Sequence, residues 1–249
     1  MRKIILIILI ISIFLVFTAC GNDDAAGSIS TSFVPPIGSI FCVEELEDGE
    51  ILTVVTGGAH VLYDNINDMS TRATDIIRGE ILSERVEWIN TVLPPQNEQE
   101  DIGVLPEPYY LIHTVYSIEV LEVFQGNMIV GDVIEVKQIG GQIERVNLID
   151  DSMLAFESGD DLVLFLVSFD FVENMPSTLL SASQGVYHFS SERTEGADDP
   201  DSELESLNPD NTLTLTLGDL LDLQYENFGE ISESFAELFE DGVLDAWRE

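Results

Sequence analysis

The chain has 249 residues, with 9 Lys+Arg against 47 Asp+Glu and a formal net charge of −38. Its 45% hydrophobic content is enough for a packed core, and its length suits one domain of moderate size or two small ones. The charge excludes DNA or RNA as a partner, because phosphate binding needs a basic patch; two cysteines exclude a disulfide-rich scaffold and every multi-cysteine zinc or iron–sulfur centre.

Residues 1–20 read MRKIILIILIISIFLVFTAC. Arg2 and Lys3 form a positive start, Ile4 to Phe17 is an apolar run of 14 residues, and Thr18-Ala19-Cys20 closes it with small residues. That run is shorter than the ~20 apolar residues of a membrane-spanning helix and fits a signal peptide. Cys20 placed directly after small residues resembles the lipobox of bacterial lipoproteins, with Phe17 where leucine is usual. The resemblance implies that the Cys20 thiol carries a diacylglycerol and that the chain is cut just before it. The alternative is an ordinary secretory signal, or an uncleaved anchor, that ends in cysteine. Loss of residues 1–19 removes Arg2 and Lys3, leaving 7 basic against 47 acidic residues, a net −40, with Lys137 the only lysine. A surface of that charge is held off anionic lipid everywhere except at its anchor. Adaptation to a salty or alkaline medium also accounts for it.

Residues 20–50 read as a tether, small, polar and Pro/Gly-containing over 21–39. Cys42, in Ile40-Phe41-Cys42-Val43, has an apolar setting that raises a thiol pKa and favours a structural role over an intermolecular bond or a nucleophile. Ile51 to Thr56 is a short β-rich run, and residues 60–73 allow a short helix. Asp75 to Leu82 reads as a strand with a bend at Gly79. Residues 93–108 are a proline-rich polar excursion. Tyr109 to Phe124 is the longest strand signal, with Tyr110, Ile112, Tyr116, Ile118 and Val120 on one core-facing side at period two. Gln125-Gly126-Asn127 is a turn, and Val133 to Ile139 a strand ended by Gly140-Gly141. Leu162 to Val167 suits a strand buried on both sides. A last strand is read over Leu179 to Phe189, with Gln184-Gly185 as a bulge.

Residues 191–211 are acidic and read as a linker or mobile loop. Thr212 to Leu217 alternates Thr and Leu as a strand would. Thr216 with Asp219 predicts a capping box opening a helix through about Asn227, and Ile231, Phe235, Leu238 and Phe239 predict an amphipathic helix ending near Gly242.

The middle of the chain carries a sequence of recognisable pieces: Asp75-Ile76-Ile77-Arg78-Gly79-Glu80-Ile81, Glu122-Val123-Phe124-Gln125-Gly126, Gly131-Asp132-Val133-Ile134-Glu135-Val136, Ser158-Gly159-Asp160-Asp161-Leu162 and Gln184-Gly185-Val186-Tyr187. Together, over about residues 73–190, they are similar to a module of uncharacterised secreted bacterial proteins. The fold of that module resembles the five-stranded OB-type barrel of the tissue-inhibitor-of-metalloproteinase group. The resemblance implies a mainly β fold, a small closed or partly open OB-like barrel over 51–190 with a C-terminal helical extension over 212–249. It does not imply protease inhibition. Inhibitors of that group use a free N-terminal cysteine on the barrel, whereas Cys20 is expected to be acylated and lies far ahead of the first barrel strand.

Residues that carry chemistry are sparse. His60, His113 and His188 have no zinc-pair spacing, and no nucleophile elbow, Walker loop or dinucleotide fingerprint is present. Ser181, Ser183 and Ser190 are candidate hydroxyls only by being serines. Asp198, Asp199, Asp201, Glu203 and Glu205 are the best oxygen cluster for calcium, but Leu204 stands where an EF-hand loop started at Asp199 needs glycine, and a solvated linker explains them better. No catalytic set, metal or cofactor is assigned.

The expectation is therefore a non-catalytic extracytoplasmic lipoprotein, held to the membrane through lipid on Cys20, that binds an extracellular protein, peptide or glycan. Alternatives are an enzyme assembled from distant residues, such as Cys42 or a serine with His113, and a calcium-dependent acidic module. Cys20→Ala is expected to lose the acyl mass and move from the membrane to the aqueous fraction, as read by intact mass and detergent partitioning. Equal behaviour of variant and wild type removes the lipobox reading.

Overall fold

Strand signals dominate the computed structural model, which describes residues 49–57, 61–94, 107–169, 171–189, 200–233 and 235, all within one unit spanning residues 34–249. In chain order these residues form β1 (Leu52–Thr56), α1 (Ile66–Ser70), β2 (Asp75–Asn90), β3 (Tyr110–Gln125), β4 (Val133–Ile139), β5 (Gly141–Ile143) and β6 (Val146–Asp150). There follow β7 (Asp161–Val167), β8 (Ser177–Leu179), β9 (Val186–His188), β10 (Glu205–Ser206) and α2 (Leu217–Phe228). The protein is mainly β. The tether over 20–48, the excursion over 95–106, residues 191–199 and the amphipathic helix beyond Phe235 lie outside the described residues.

The main sheet runs β10-β9-β7-β2-β3-β4-β8, and β7 also pairs with β8. Strands β7, β2, β3, β4 and β8 thus form a ring. All its pairings are antiparallel except β4 with β8, and both β8 contacts are only two residues long. A separate three-stranded sheet pairs β1 parallel with β6 and β5 antiparallel with β6.

Two apolar layers follow from this. Ile77, Ile81, Tyr116, Ile118, Val120, Val136 and the even leucines Leu162, Leu164 and Leu166 come from the ring strands and pack with one another inside it. The odd positions of the same β7 strand, Val163 and Phe165, pack outward with Ile76, Phe124, Tyr187 and the leucines of α2. Residues Leu162 to Leu166 are accordingly all fully buried, as the unbroken apolar run predicts. The face of β3 predicted to line the core does so at Ile112, Tyr116, Ile118 and Val120, whereas Tyr110 is half-buried. Past Val120 the strand changes side. The β2–β3 register slips between Arg78 and Gly79, so that Arg78 faces Glu122 and Gly79 faces Val120. After this bulge Val123 joins the inner layer and Phe124 the outer one.

Three expectations are corrected. The strand at Asp75 does not stop near Leu82 but runs to Asn90, because its second half pairs residue for residue with Tyr110 to Ser117. The single strand expected over Leu179 to Phe189 is two, β8 and β9, parted by a turn in which the Gly185 amide donates to the Ser181 carbonyl at 2.8 Å. The turn sends β8 to close the ring and β9 to extend the sheet along β7. The part of the acidic stretch that is described, 200–211, does not run free. β10 pairs with β9, Leu204 is buried and Glu203 bridges Thr216, so the Thr/Leu alternation after it is an extended segment held by one bridge instead of a strand.

Helix α2 begins at the predicted capping box, with the Asp219 amide donating to Thr216 Oγ1 at 3.1 Å and the Thr216 amide to Asp219 Oδ2 at 2.7 Å. It ends at Gly229 in the left-handed region, φ 70°, where glycine carries no Cβ penalty. Leu217, Leu220, Leu221 and Leu223 anchor it to the outer layer, and Phe235 meets Phe124 edge-on with ring centroids 5.5 Å apart. No described helix is long and apolar enough to cross a membrane.

Gly79 lies where β3 comes close to the β2 backbone. A Cβ there would lie 2.5 Å from Ile118 Cγ2 and 3.0 Å from the Glu119 carbonyl oxygen. Gly79→Ala is expected to cost about 2 kcal/mol through overpacking, read as a lower denaturant midpoint with an unchanged slope.

Candidate functional site

Glu122 stands in the same alternating series as Ile118, Val120 and Phe124, where a charged residue is out of place. The bulge at Gly79 turns it outward, under α2, yet it is only 2% exposed. Its Oε1 accepts hydrogen bonds from Gln224 Nε2 at 3.0 Å and from the Ser232 hydroxyl. The Gln224 amide is oriented for this because its own oxygen accepts from the Ser232 backbone N–H at 2.9 Å. Glu122 Oε2 is buried and has no hydrogen-bond partner among the described residues. Burial pushes the carboxyl pKa up, against the opposing pull of Ser232, Gln224 and Arg78.

Glu122, Gln224 and Ser232 together line a groove of about 470 Å³, shared with Leu121, Val123, Met128, Ile129, Val130, Phe228 and Glu230. Ile129 (64% exposed), Val130 (60%) and Phe228 (46%) present apolar surface to solvent along it. The turn after β3 carries the first two and α2 the third, so a strand, a turn and a helix meet here.

Arg78 lies close enough to act on Glu122 electrostatically but is committed elsewhere. Its Nε and Nη2 clasp both carboxylate oxygens of Asp161 at 2.9 and 2.7 Å, and its guanidinium lies 3.9 Å from the Phe189 ring centre. The fork ties β2 to β7 from outside the ring.

Lys137, on β4, is 8% exposed, and no carboxylate pairs with it among the described residues. Its ammonium lies 2.7 Å from Met175 Sδ and 4.8 Å from the Phe169 ring centre. Burial pushes its pKa down to about 8. A second cavity, about 200 Å³, is lined by Lys137, Gln138, Thr178 and Ser181, whose buried hydroxyl has no hydrogen-bond partner.

The residues singled out from the sequence are not brought together. His113 is buried in β3, its Nδ1 lies 3.1 Å from the Leu111 carbonyl oxygen, and no hydrogen bond joins it to a serine among the described residues. Desolvation lowers its pKa to about 4, with Lys137 adding to the effect, which keeps the ring neutral. His188 is half-buried on β9, opposite Glu205, and Ser183 is half-buried in the turn before that strand. Among the described residues no group of three His, Cys, Asp or Glu is placed to hold a metal ion. Cys20, Cys42, His60, Ser190, Asp198 and Asp199 lie outside the described residues.

Glu122 and Lys137 are the residues that sequence reasoning missed. The signal for Glu122 is a carboxylate in register with core positions. For Lys137 it is one of the chain's two lysines set inside a strand, directly after the buried Val136.

Compared with known proteins, the chain matches no family model, no curated protein and no solved structure.

Burial of Lys137 has a consequence for stability. Between pH 8 and 10 the unfolded chain holds a proton on this lysine that the folded chain has released, so stability rises with pH across that window. Lys137→Met is expected to flatten that rise and to stabilise the fold at neutral pH by roughly 1–2 kcal/mol. Denaturation midpoints of both proteins at the two ends of the window check this.

Proposed function

We propose that the protein is an extracytoplasmic lipoprotein, anchored by lipid on Cys20, and that its barrel serves as a non-catalytic binding module. The observation that carries the binding reading is the groove between β3, the turn at Met128–Val130 and α2. It combines exposed apolar side chains with a buried carboxyl whose second oxygen is unpartnered. Binding sites have this composition, an apolar lining with a few placed polar groups, and its volume falls in the range of small-ligand sites.

The OB-like reading of the barrel is supported by the five-stranded ring, by the meander β2-β3-β4, and by the crossing connection that makes β4 and β8 parallel neighbours. A five-stranded Greek-key barrel is the OB architecture, and such barrels bind across one strand face and its adjoining loops. Here the groove sits against the β3 strand and the β3–β4 turn. The occupant expected outside the cell is a peptide or glycan, or a protein presenting one side chain to the groove.

Titration of the ¹⁵N-labelled mature chain with a panel of short peptides, oligosaccharides and small apolar fragments tests this. Shift changes gathered on residues 121–123, 128–130 and 224–232 are expected for at least one class. No changes with any class, or changes gathered elsewhere, overturn the reading.

A further inference from the structure

We propose that the groove accepts a compact apolar cation, a protonated amine on a hydrocarbon or aromatic body. The amine sits against Glu122 and the body against Met128, Ile129, Val130 and Phe228. The inference rests on the reading of this groove as a binding site and adds the chemistry of the occupant.

Three observations select that chemistry. First, Glu122 Oε1 is saturated by two donors on the protein side, while Oε2 has none. A buried carboxylate oxygen without a donor is costly, and a ligand N–H that reaches it recovers a charge-assisted hydrogen bond. Second, Gln224 is fixed as a donor. Gln224 cannot turn its oxygen toward Glu122 without losing the Ser232 backbone N–H that it accepts from. The site is therefore built to present an oxygen acceptor, which suits an N–H group and repels a carboxylate or phosphate. Third, negative charge predominates around the groove among the described residues. Arg78, whose charge acts on Glu122, is held by Asp161, Glu230 lines the groove as a second carboxylate, and the chain as a whole is strongly acidic. Such a field raises the local concentration of cations. The apolar walls then favour an organic amine over a hydrated metal ion, since the side chains of Met128, Ile129, Val130 and Phe228 carry no oxygen and suit a hydrocarbon body.

Burial of Glu122 also makes the interaction responsive to pH. The carboxyl must be ionised to hold the cation, and its raised pKa brings protonation closer to neutrality. The groups facing it are the neutral Gln224 and Ser232, the Arg78–Asp161 pair and, along the groove, Glu230. A primary amine stays charged throughout this range, so loss of binding on acidification reports the protein's carboxylates.

Calorimetry of the full mature chain with 2-phenylethylamine, 2-phenylethanol and 3-phenylpropanoate, in high salt to screen the surface charge, tests the proposal. The amine is expected to bind at least about tenfold more tightly than the alcohol, and the carboxylate not at all. Glu122→Gln is expected to bring the amine down to the alcohol's affinity and leave the alcohol unchanged. Retention of alcohol binding shows that the variant's groove is intact. In the wild type, amine affinity is expected to fall on acidification while alcohol affinity holds. Equal binding of amine and alcohol, or amine binding indifferent to both Glu122→Gln and pH, overturns the inference and leaves the groove as an apolar site. If neither amine nor alcohol binds, the groove reading fails as well.

Discussion

Strand β7 is buried on both faces, and much of the structure follows from that. Leu162, Leu164 and Leu166 fill the ring while Val163 and Phe165 fill the layer outside it, so the strand belongs to two cores at once. A strand with no solvent face needs cover on each side. The ring supplies one and α2, with the segment from Leu204 to Leu217, supplies the other. This is why the acidic stretch after β9 returns to the sheet. Its scattered leucines complete the outer layer, and without them Val163, Phe165 and Tyr187 would face water.

The bulge opposite Gly79 converts this layering into a site. Before it, alternate residues of β3 point into the ring; after it, the alternation passes to the outside and places Glu122 beneath a helix. A change of phase by one residue moves a whole set of side chains from one face to the other. The carboxyl is thus a product of the strand's geometry as much as of the groove that surrounds it. The chain carries few cations, and those described are largely committed: Arg78 to Asp161, Arg85 to Glu87 and Glu135, and Lys137 to an aromatic face and a thioether. None of these contacts supplies a counter-ion to Glu122.

Much of the barrel is legible in the sequence because its signals are local. The alternation of Tyr110 to Val120, the unbroken run at Leu162 to Val167, the glycines that end β4 and the Thr216–Asp219 box each require only neighbouring residues to be read. The long-range features are not legible in this way. The second half of β2, with Arg85 and Glu87 exposed, looks like a polar loop until it is paired with the first half of β3. The break between β8 and β9 depends on where β4 and β7 stand, and the return of residues 200–211 depends on an outer layer that needs covering. The site was hidden for the same reason. Glu122 is quoted as part of a strand end, and only the register slip across from it reveals which way it points.

The scarcity of cations bears on how the protein withstands hydrolysis. A trypsin-like peptidase cleaves after Lys or Arg and must draw several residues on either side into its cleft as an extended, separate chain. Arg78, Arg85 and Lys137 lie within hydrogen-bonded strands, where the backbone is already paired on the sheet and a cleft has nothing to grip. Cutting at these points waits for the strands to part, so its rate follows the small population in which the sheet has opened. With three of the five described basic residues locked into strands, the described part of this acidic chain presents such an enzyme with few usable bonds while it stays folded.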